Sequence, residues 1–383
     1  MYIYLDNAAT TAPAPAVIDA MNGASFFNAS ALYAPSLLVK NEIERARGVI
    51  LGKLCSRNGG LVFTSGATES NNMVIRGLVF DKRHHAIVLE GEHSSVYQPA
   101  KTLADNGYAV EFAPLLSNGM CDMGALGKLL RAETTLVVFG MCNSDTGVIQ
   151  DARGIVKTVR GVARGAHIHI DCTQAFCKLP IDVGAIGADS IAISAHKIHG
   201  PKGVGGLWVR NGVKLPPLLL GGGQQPMRAG TENNAGVIGF ARAVEIFDTE
   251  KSWAHVCGLH TRLIEGLVKA VPSAKIVGIN NNPYITNIQL PHMGQTVMNA
   301  LAEGEILPCG STSHMADAGQ SFPPVYVGLG SACTGTAKNR TLAAMGIADK
   351  LARHSIRVSF NHENTFEEVD LFLDKLKKVC DNL

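Results

Sequence analysis

No run of about 18 apolar residues occurs in the 383-residue chain, so no membrane-spanning helix of ordinary length is expected. The first residues, MYIYLDNAATT, lack a basic stretch followed by a long apolar one, which argues against a secretory leader and makes the chain read as cytoplasmic. There is no basic run either. The 34 Lys and Arg are offset by 32 Asp and Glu for a formal net charge of +2, which removes the electrostatic footprint of a nucleic-acid binder or of a protein held on an anionic membrane. The nine cysteines are odd in number and contain no CxxC pair, so neither a disulfide framework nor a zinc site is indicated, and most read as reduced core residues. Only 17% of residues are charged, against 46% hydrophobic and 41 glycines, which excludes global disorder and suits an α/β enzyme with a deep core and many tight loops. The length allows two domains, and the balanced charge favours a small-molecule or protein partner.

What is present is concentrated between Ala166 and Gly206. His167-Ile168-His169-Ile170 reads as a short strand stopping at Asp171; Ser190-Ile191-Ala192-Ile193 reads as a second one running into Ser194-Ala195-His196-Lys197 and a glycine-rich loop. Asp171 and Lys197 are 26 residues apart, with VGAIGAD between them as helix or turn. A strand-connection-strand unit places both ends on one edge of a parallel sheet, the edge where open α/β sheets bind ligands. Taken singly, Asp171 would read as a helix cap and Lys197 as a solvated loop lysine. Together they describe pyridoxal 5'-phosphate chemistry: a buried lysine can lose its proton and form an imine with an aldehyde, while a carboxylate holds a pyridinium nitrogen protonated. Gln174 is placed to reach the cofactor's ring oxygen, and Ser194 and His196 flank the lysine with phosphate-binding donors.

Elsewhere, Leu61–Thr64 reads as a buried strand entering Ser65-Gly66-Ala67-Thr68 and then a helix. A small-residue turn at a helix N-terminus offers free N–H groups and the positive end of the dipole, so Gly66, Ala67 and Thr68 are expected to cradle the phosphate. Ala86–Leu89 is a strand delivering Glu92 and His93, and Leu136–Phe139 one leading to Asn143 and Ser144. Ser355–Ser359 is a strand whose Arg357 can clamp a carboxylate through two parallel hydrogen bonds. Residues 307–324, rich in Gly, Ser and Pro and without periodicity, read as an inserted loop before Gly330-Ser331-Ala332-Cys333. A cysteine among small residues suits a group that carries cargo between two sites.

DNAATT at 6–11, SGATESNN at 65–72, HIDCTQA at 169–175, SAHKIHGPKGVGGLWVR at 194–210 and GSAC at 330–333 resemble the cysteine desulfurases, the NifS/IscS branch of the fold-type I pyridoxal-phosphate enzymes. The resemblance implies a large domain over 14–251, built on a mostly parallel seven-stranded sheet between helices, and a smaller α+β domain from 1–13 and 252–383. It implies a homodimer that converts L-cysteine to L-alanine: Lys197 holds the cofactor, His93 stacks on its ring and moves protons, and Cys333 takes the sulfur as a persulfide for an iron–sulfur scaffold or thiolation enzyme. By the same resemblance Asn28, Asn143, Ser144 and Arg357 bind substrate, and Thr231, in RAGTEN at 228–233, reaches the phosphate of the neighbouring subunit. Two segments depart from the family pattern. NASALY at 28–33 stands where a GNPSSxH-like segment is usual, and NSDTG at 143–147 stands for NNETG. The alternatives are a selenocysteine lyase or another cysteine lyase on the same fold, or a non-catalytic sulfur-relay protein.

Overall fold

The computed structural model describes residues 2–78, 84–279, 281–303, 322–329 and 339–383. Cys333 and residues 307–321 of the inserted segment lie outside them. Among the described residues twelve strands follow in chain order. β1 is Ile3–Tyr4, β2 Gly59–Thr64, β3 His85–Leu89, β4 Ala109–Ala113, β5 Thr134–Gly140 and β6 His167–Asp171. β7 is Ser190–Ser194, β8 Gly205–Arg210, β9 Lys275–Val277, β10 Ile285–Gln289, β11 Val325–Tyr326 and β12 Ser355–Ser359.

Seven of them form the main sheet in the order β2-β8-β7-β6-β5-β3-β4. Only β8 runs against its neighbours, so the expected mostly parallel sheet is present. Asp171 pairs with Ala192 in the β6/β7 register, which puts the ends of those strands side by side. The antiparallel entry of β8 follows from the short Gly200–Val204 turn, which is too brief for a crossover.

The HIHI alternation of β6 does not mark one wet face. All five of its residues are buried, as the middle strand of a sheet covered by helices requires. Its histidines face polar partners instead: His167 Nε2 and His169 Nδ1 lie 2.6 and 2.7 Å from Ser190 Oγ. A helix runs from Ala34 to Lys53, with proline in its first turn, where no N–H is needed.

β12-β10-β9 form a second, antiparallel sheet, and the helices Thr249–Ala270 and Phe366–Asn382 pack against each other. The latter helix opens on a capping box, with Thr365 and Glu368 satisfying each other's backbone N–H groups. β1 pairs in parallel with β11, so the N-terminal strand belongs with the last part of the chain. Among the described residues no helix is long and apolar enough to cross a membrane.

Candidate active site

β2, β5, β6 and β7 all end at one edge of the main sheet, and the chain leaving β3 returns to it at Glu92 and His93. Above that edge lies a cavity of about 510 Å³. Gly66, Ala67, Thr68, His93, Asn143, Ser144, Asp171, Gln174, Ser194, His196, Lys197 and Arg357 line it, joined by Ala8, Ala9 and Thr10 of the DNAATT segment.

Lys197 ends a short 3-10 turn after β7. Its Nζ donates to the carbonyls of Ala8 and Ala9, 2.6 Å each. Burial, followed by the positive charges of Lys178 and Arg357, pushes its pKa down to about 7 against the opposing fields of Asp6 and Asp171. A lysine so placed holds a large share of free amine at neutral pH, the form a nucleophile needs.

Asp171 is 8% exposed. Oδ1 accepts from the Thr173 N–H at 2.9 Å and Oδ2 from Asn71 Nδ2 at 2.8 Å. Asn71 also donates to Ser95 Oγ at 2.9 Å, and its Oδ1 lies 2.9 Å from His169 Nε2. Burial drives the His169 pKa down to about 3, so that ring is neutral and must donate from Nε2 to the amide oxygen. The chain of bonds continues to His93, whose Nδ1 accepts from the Ser95 N–H at 3.1 Å and lies 2.9 Å from Ser95 Oγ. With Nδ1 an acceptor, the neutral His93 ring carries its proton on Nε2. The ring is exposed to the cavity, yet desolvation leads the forces that lower its pKa.

At the other end of the cavity the chain turns at Gly66, whose φ of +151° is rarely open to a side chain. A Cβ on Gly205 would lie 2.7 Å from Gly66 Cα, so glycine there lets the turn close onto β8. The helix Ala67–Leu78 starts at once, and its first N–H groups have no partner within the helix. Glu69 braces the turn. Against the pull of burial, hydrogen bonds from Arg228 Nε (2.9 Å) and the Ser65 N–H (2.7 Å) hold its carboxyl below the usual range. Burial, then the charges of Lys197 and Lys202, push His196 down to about 4, so it faces the cavity as a neutral ring.

Four expected residues behave differently. The Asn143 side chain shapes its own turn: Oδ1 accepts from the N–H groups of Asp145 and Thr146 at 2.9 and 3.0 Å, and Nδ2 donates to Gly91 O. Asn28 is exposed, accepts from the Ser30 N–H and does not line the cavity, and Thr231 is likewise exposed outside it. Arg357 donates from one NH2 to Asp6 Oδ1 at 2.7 Å and from the other to Ser144 O at 2.9 Å, while its buried Nε has no hydrogen-bond partner.

The sequence did not single out Asn71, Ser95 or Lys178, and it gave Glu92 a place but no role. For Asn71 a signal existed. Ala67, Ser70, Asn71 and Val74 fall at i, i+3, i+4 and i+7, the buried stripe of the helix, and polar residues on such a stripe need buried partners. Glu92 lines the cavity at 7% exposure, accepting from the Gly140 N–H at 2.8 Å, and burial pushes its carboxyl up to about 8. Cys142 also lines the cavity, but burial raises its pKa to about 11, so it is a thiol at neutral pH.

Residues 3–372 match the sequence profile of the aminotransferase class-V family. Cysteine desulfurase IscS 1 of Archaeoglobus fulgidus is 34% identical over 389 residues, covering 99% of this chain and 97% of that protein. The mitochondrial cysteine desulfurase of Candida maltosa is 34% identical, covering 100% of this chain and 78% of its own length. Among solved structures, a NifS-like protein superposes with a TM-score of 0.88 at 30% identity, with both chains fully covered. SspA in complex with cysteine superposes with a TM-score of 0.79 at 27% identity, covering 95% of this chain and all of that one. A sheet edge gathering a lysine, a carboxylate and a helix N-terminus, together with likeness over the whole length, leads to one assignment: the chain belongs to the aminotransferase class-V family and stands among its cysteine desulfurases.

Proposed function

We propose that this enzyme removes sulfur from L-cysteine with the help of pyridoxal 5'-phosphate, leaving L-alanine. The observation that carries the reading is that the Lys197 amine and the Asp171 carboxylate face one cavity from adjacent parallel strands. The residues suit the cofactor. Gly66, Ala67, Thr68, Ser194, His196 and Lys202 offer N–H, hydroxyl and cationic donors for a phosphate, and Asp171 offers a carboxylate for a ring nitrogen. Thr173 Oγ1, buried on the cavity wall without a partner, is a further polar group awaiting a ligand.

When bound, pyridoxal phosphate supplies an electron sink for the bonds at the substrate's Cα and Cβ. The chain's own part is to orient and to move protons. Lys197, holding much free amine, would hold the cofactor's aldehyde and offers a base for the Cα proton. His93 is the second proton carrier, its Nε2–H directed by the acceptor bond at Nδ1. Asp171, fixed by Asn71 and Thr173, would hold its carboxylate for the ring nitrogen. Arg357, on the cavity wall, would offer its guanidinium to the substrate carboxylate. The Cys333 thiolate attacks the substrate sulfur. The S–S bond of a persulfide forms as the Cβ–S bond breaks, and Cβ gains a proton to give the methyl of alanine. The persulfide sulfur then passes to a protein acceptor, an iron–sulfur scaffold or a thiolation enzyme.

The same proposal includes a homodimer, a cytoplasmic location and a division into 14–251 and 1–13 with 252–383. The exposed side chains of Phe26, Leu32, Leu38 and Leu220, 90%, 94%, 65% and 85% accessible, support the dimer. Thr231 and Asn28, outside this chain's own cavity, then serve the neighbour's. The division is supported by the pairing of β1 with β11 and by the separate β12-β10-β9 sheet.

The test is to supply purified protein with pyridoxal phosphate, L-cysteine and a dithiol reductant to release the persulfide sulfur, and to measure alanine and sulfide together. Equal yields of both are expected, with turnover lost in Cys333→Ala while the cofactor's absorbance still responds to cysteine. Alanine formed at an undiminished rate by Cys333→Ala would count for a lyase in place of a persulfide-forming desulfurase, as would rapid turnover of selenocysteine alone.

A further inference from the structure

Lys178 belongs to the turn segment that follows β6, four residues after Gln174, and is 3% exposed. Among the described residues its ammonium has no carboxylate partner. Its polar contact is Gln174 Oε1 at 3.5 Å, and the Tyr284 ring centroid lies 5.3 Å from Nζ. A buried cation without an anion is expensive, and nothing in the proposed chemistry so far employs it. The arrangement around it is directional. Gln174 presents its oxygen to Lys178 and turns its Nε2 to Ala8 O at 2.9 Å, the carbonyl that also accepts from Lys197 Nζ at 2.6 Å. One amide and one carbonyl therefore join the two lysines.

The other charges facing Lys197 are Arg357, Asp6 and Asp171, with His93 and His196 close by. Asp6 is tied to Arg357, and Asp171 to Asn71 and Thr173, so both carboxylates already hold donors of their own. Lys178 in turn faces Arg357 and the Cys142 and Cys177 thiols, all of them positive or neutral at pH 7.

We propose that Lys178 is a positioning residue, a fixed buried charge that acts through Gln174 and the Ala8 carbonyl to keep Lys197 ready as a free amine. The idea rests on Lys197 being the cofactor-binding lysine. Two cations in one poorly solvated pocket disfavour each other's charge, and the one nearer the cavity yields its proton first. Burial is the leading cause of the low pKa of each, about 7 for Lys197 and about 8 for Lys178, and the Lys178 charge is the next cause at Lys197. The fixed amide also keeps the Ala8 carbonyl occupied from one side, which limits how far Lys197 can swing from the pocket floor.

The experiment is competitive acetylation of the full-length chain, freed of cofactor, with trace acetic anhydride across pH 5–11, reading the Lys197 peptide by mass spectrometry. Lys178→Met removes the charge at similar length, and Lys178→Arg keeps it. The Lys197 midpoint is expected to rise by about 1 pH unit in Lys178→Met and to stay at the wild-type value in Lys178→Arg. Unchanged midpoints in both variants, or equal shifts in both, would overturn the proposal, the second by reducing Lys178 to a packing role. If Lys178→Met fails to fold, the wild-type curve decides. Coupling to Lys178 requires a second inflection in Lys197 labelling where Lys178 titrates, and a single step at the ordinary lysine value of about 10.4 rejects it. This readout is independent of turnover. Absence of alanine formation by the wild type, with the midpoint shift in Lys178→Met intact, would sink the desulfurase reading and leave this one standing.

Discussion

Glu92→Gln separates a buried acid from its charge with almost no change of shape. Glu92 is 7% exposed, and burial, ahead of the repulsion from Asp171, raises its pKa from the ordinary 4.5 to about 8, against the single bond from the Gly140 N–H. Between those two values the native carboxyl keeps a proton that the unfolded chain has lost. Unfolding then releases a proton, and stability falls as pH climbs through the window. The shift of about 3.5 units corresponds to a penalty of about 5 kcal/mol at about 1.36 kcal/mol per unit, all of it present above pH 8 and none below pH 4.5. The amide introduced by Glu92→Gln can still accept from Gly140 but does not titrate. Urea unfolding of cofactor-free wild type and variant at pH 5, 7 and 8.5 isolates the effect, because every other titrating group is common to both. The two should be nearly equal at pH 5 and diverge, with the variant the more stable, by about 3–5 kcal/mol at pH 8.5. Parallel stability curves over that range would show that Glu92 ionises without penalty and that the pocket floor is wetter than its burial indicates.

Lys197→Ala should abolish the visible absorbance of lysine-bound pyridoxal phosphate, since of the segment's other lysines Lys178 is buried against Gln174 and Lys202 stands with the phosphate donors beyond the Gly200-Pro201 turn; a spectrum like wild type with full activity would refute its role. Asp171→Ala should slow turnover by ~2.7–4 kcal/mol, about 10²–10³-fold, with a smaller loss of cofactor affinity, and turnover within about threefold of wild type would count against a ring-nitrogen contact. Asn71→Ala should destabilise the fold by about 2–4 kcal/mol in denaturant titration, because Asp171 loses a charge-assisted bond and the His169 Nε2–H is left unpaired in the core. It should also slow turnover less than Asp171→Ala does, since the Thr173 N–H still holds the carboxylate.

The site was legible where function sits at the end of a strand. Apolar runs that stop at Asp171 and Lys197 announce both the sheet edge and the groups it carries, and β6 and β7 lie where the sequence places them. Periodicity says nothing of strand direction, so β8, another apolar run, could not be read as the antiparallel member. The polar chain from His93 through Ser95 and Asn71 to Asp171 and His169 joins separate elements, and no single segment reveals it. Lys178 was hidden for a similar reason: a lone lysine after a strand is ordinarily solvated, and only the packing of Gln174 and Tyr284 over it makes it a core residue.

The carbonyls that hold Lys197 come from residues 8 and 9, and those residues are held in turn by β12: Ala8 N donates to Ser359 Oγ, Asn7 to Ser359 O, and Arg357 to Asp6. During synthesis the main sheet, closed between residues 59 and 210, can form long before residue 359 leaves the ribosome. The first strand must meanwhile wait unpaired, an apolar segment open to chaperones. Gln174 and the 196–199 turn can hold residues 8–14 as soon as the sheet forms. Arg357 and the bonds from β12 arrive only when the chain is almost finished, so a nascent polypeptide carries the sheet with a pocket still incomplete until its last strand arrives.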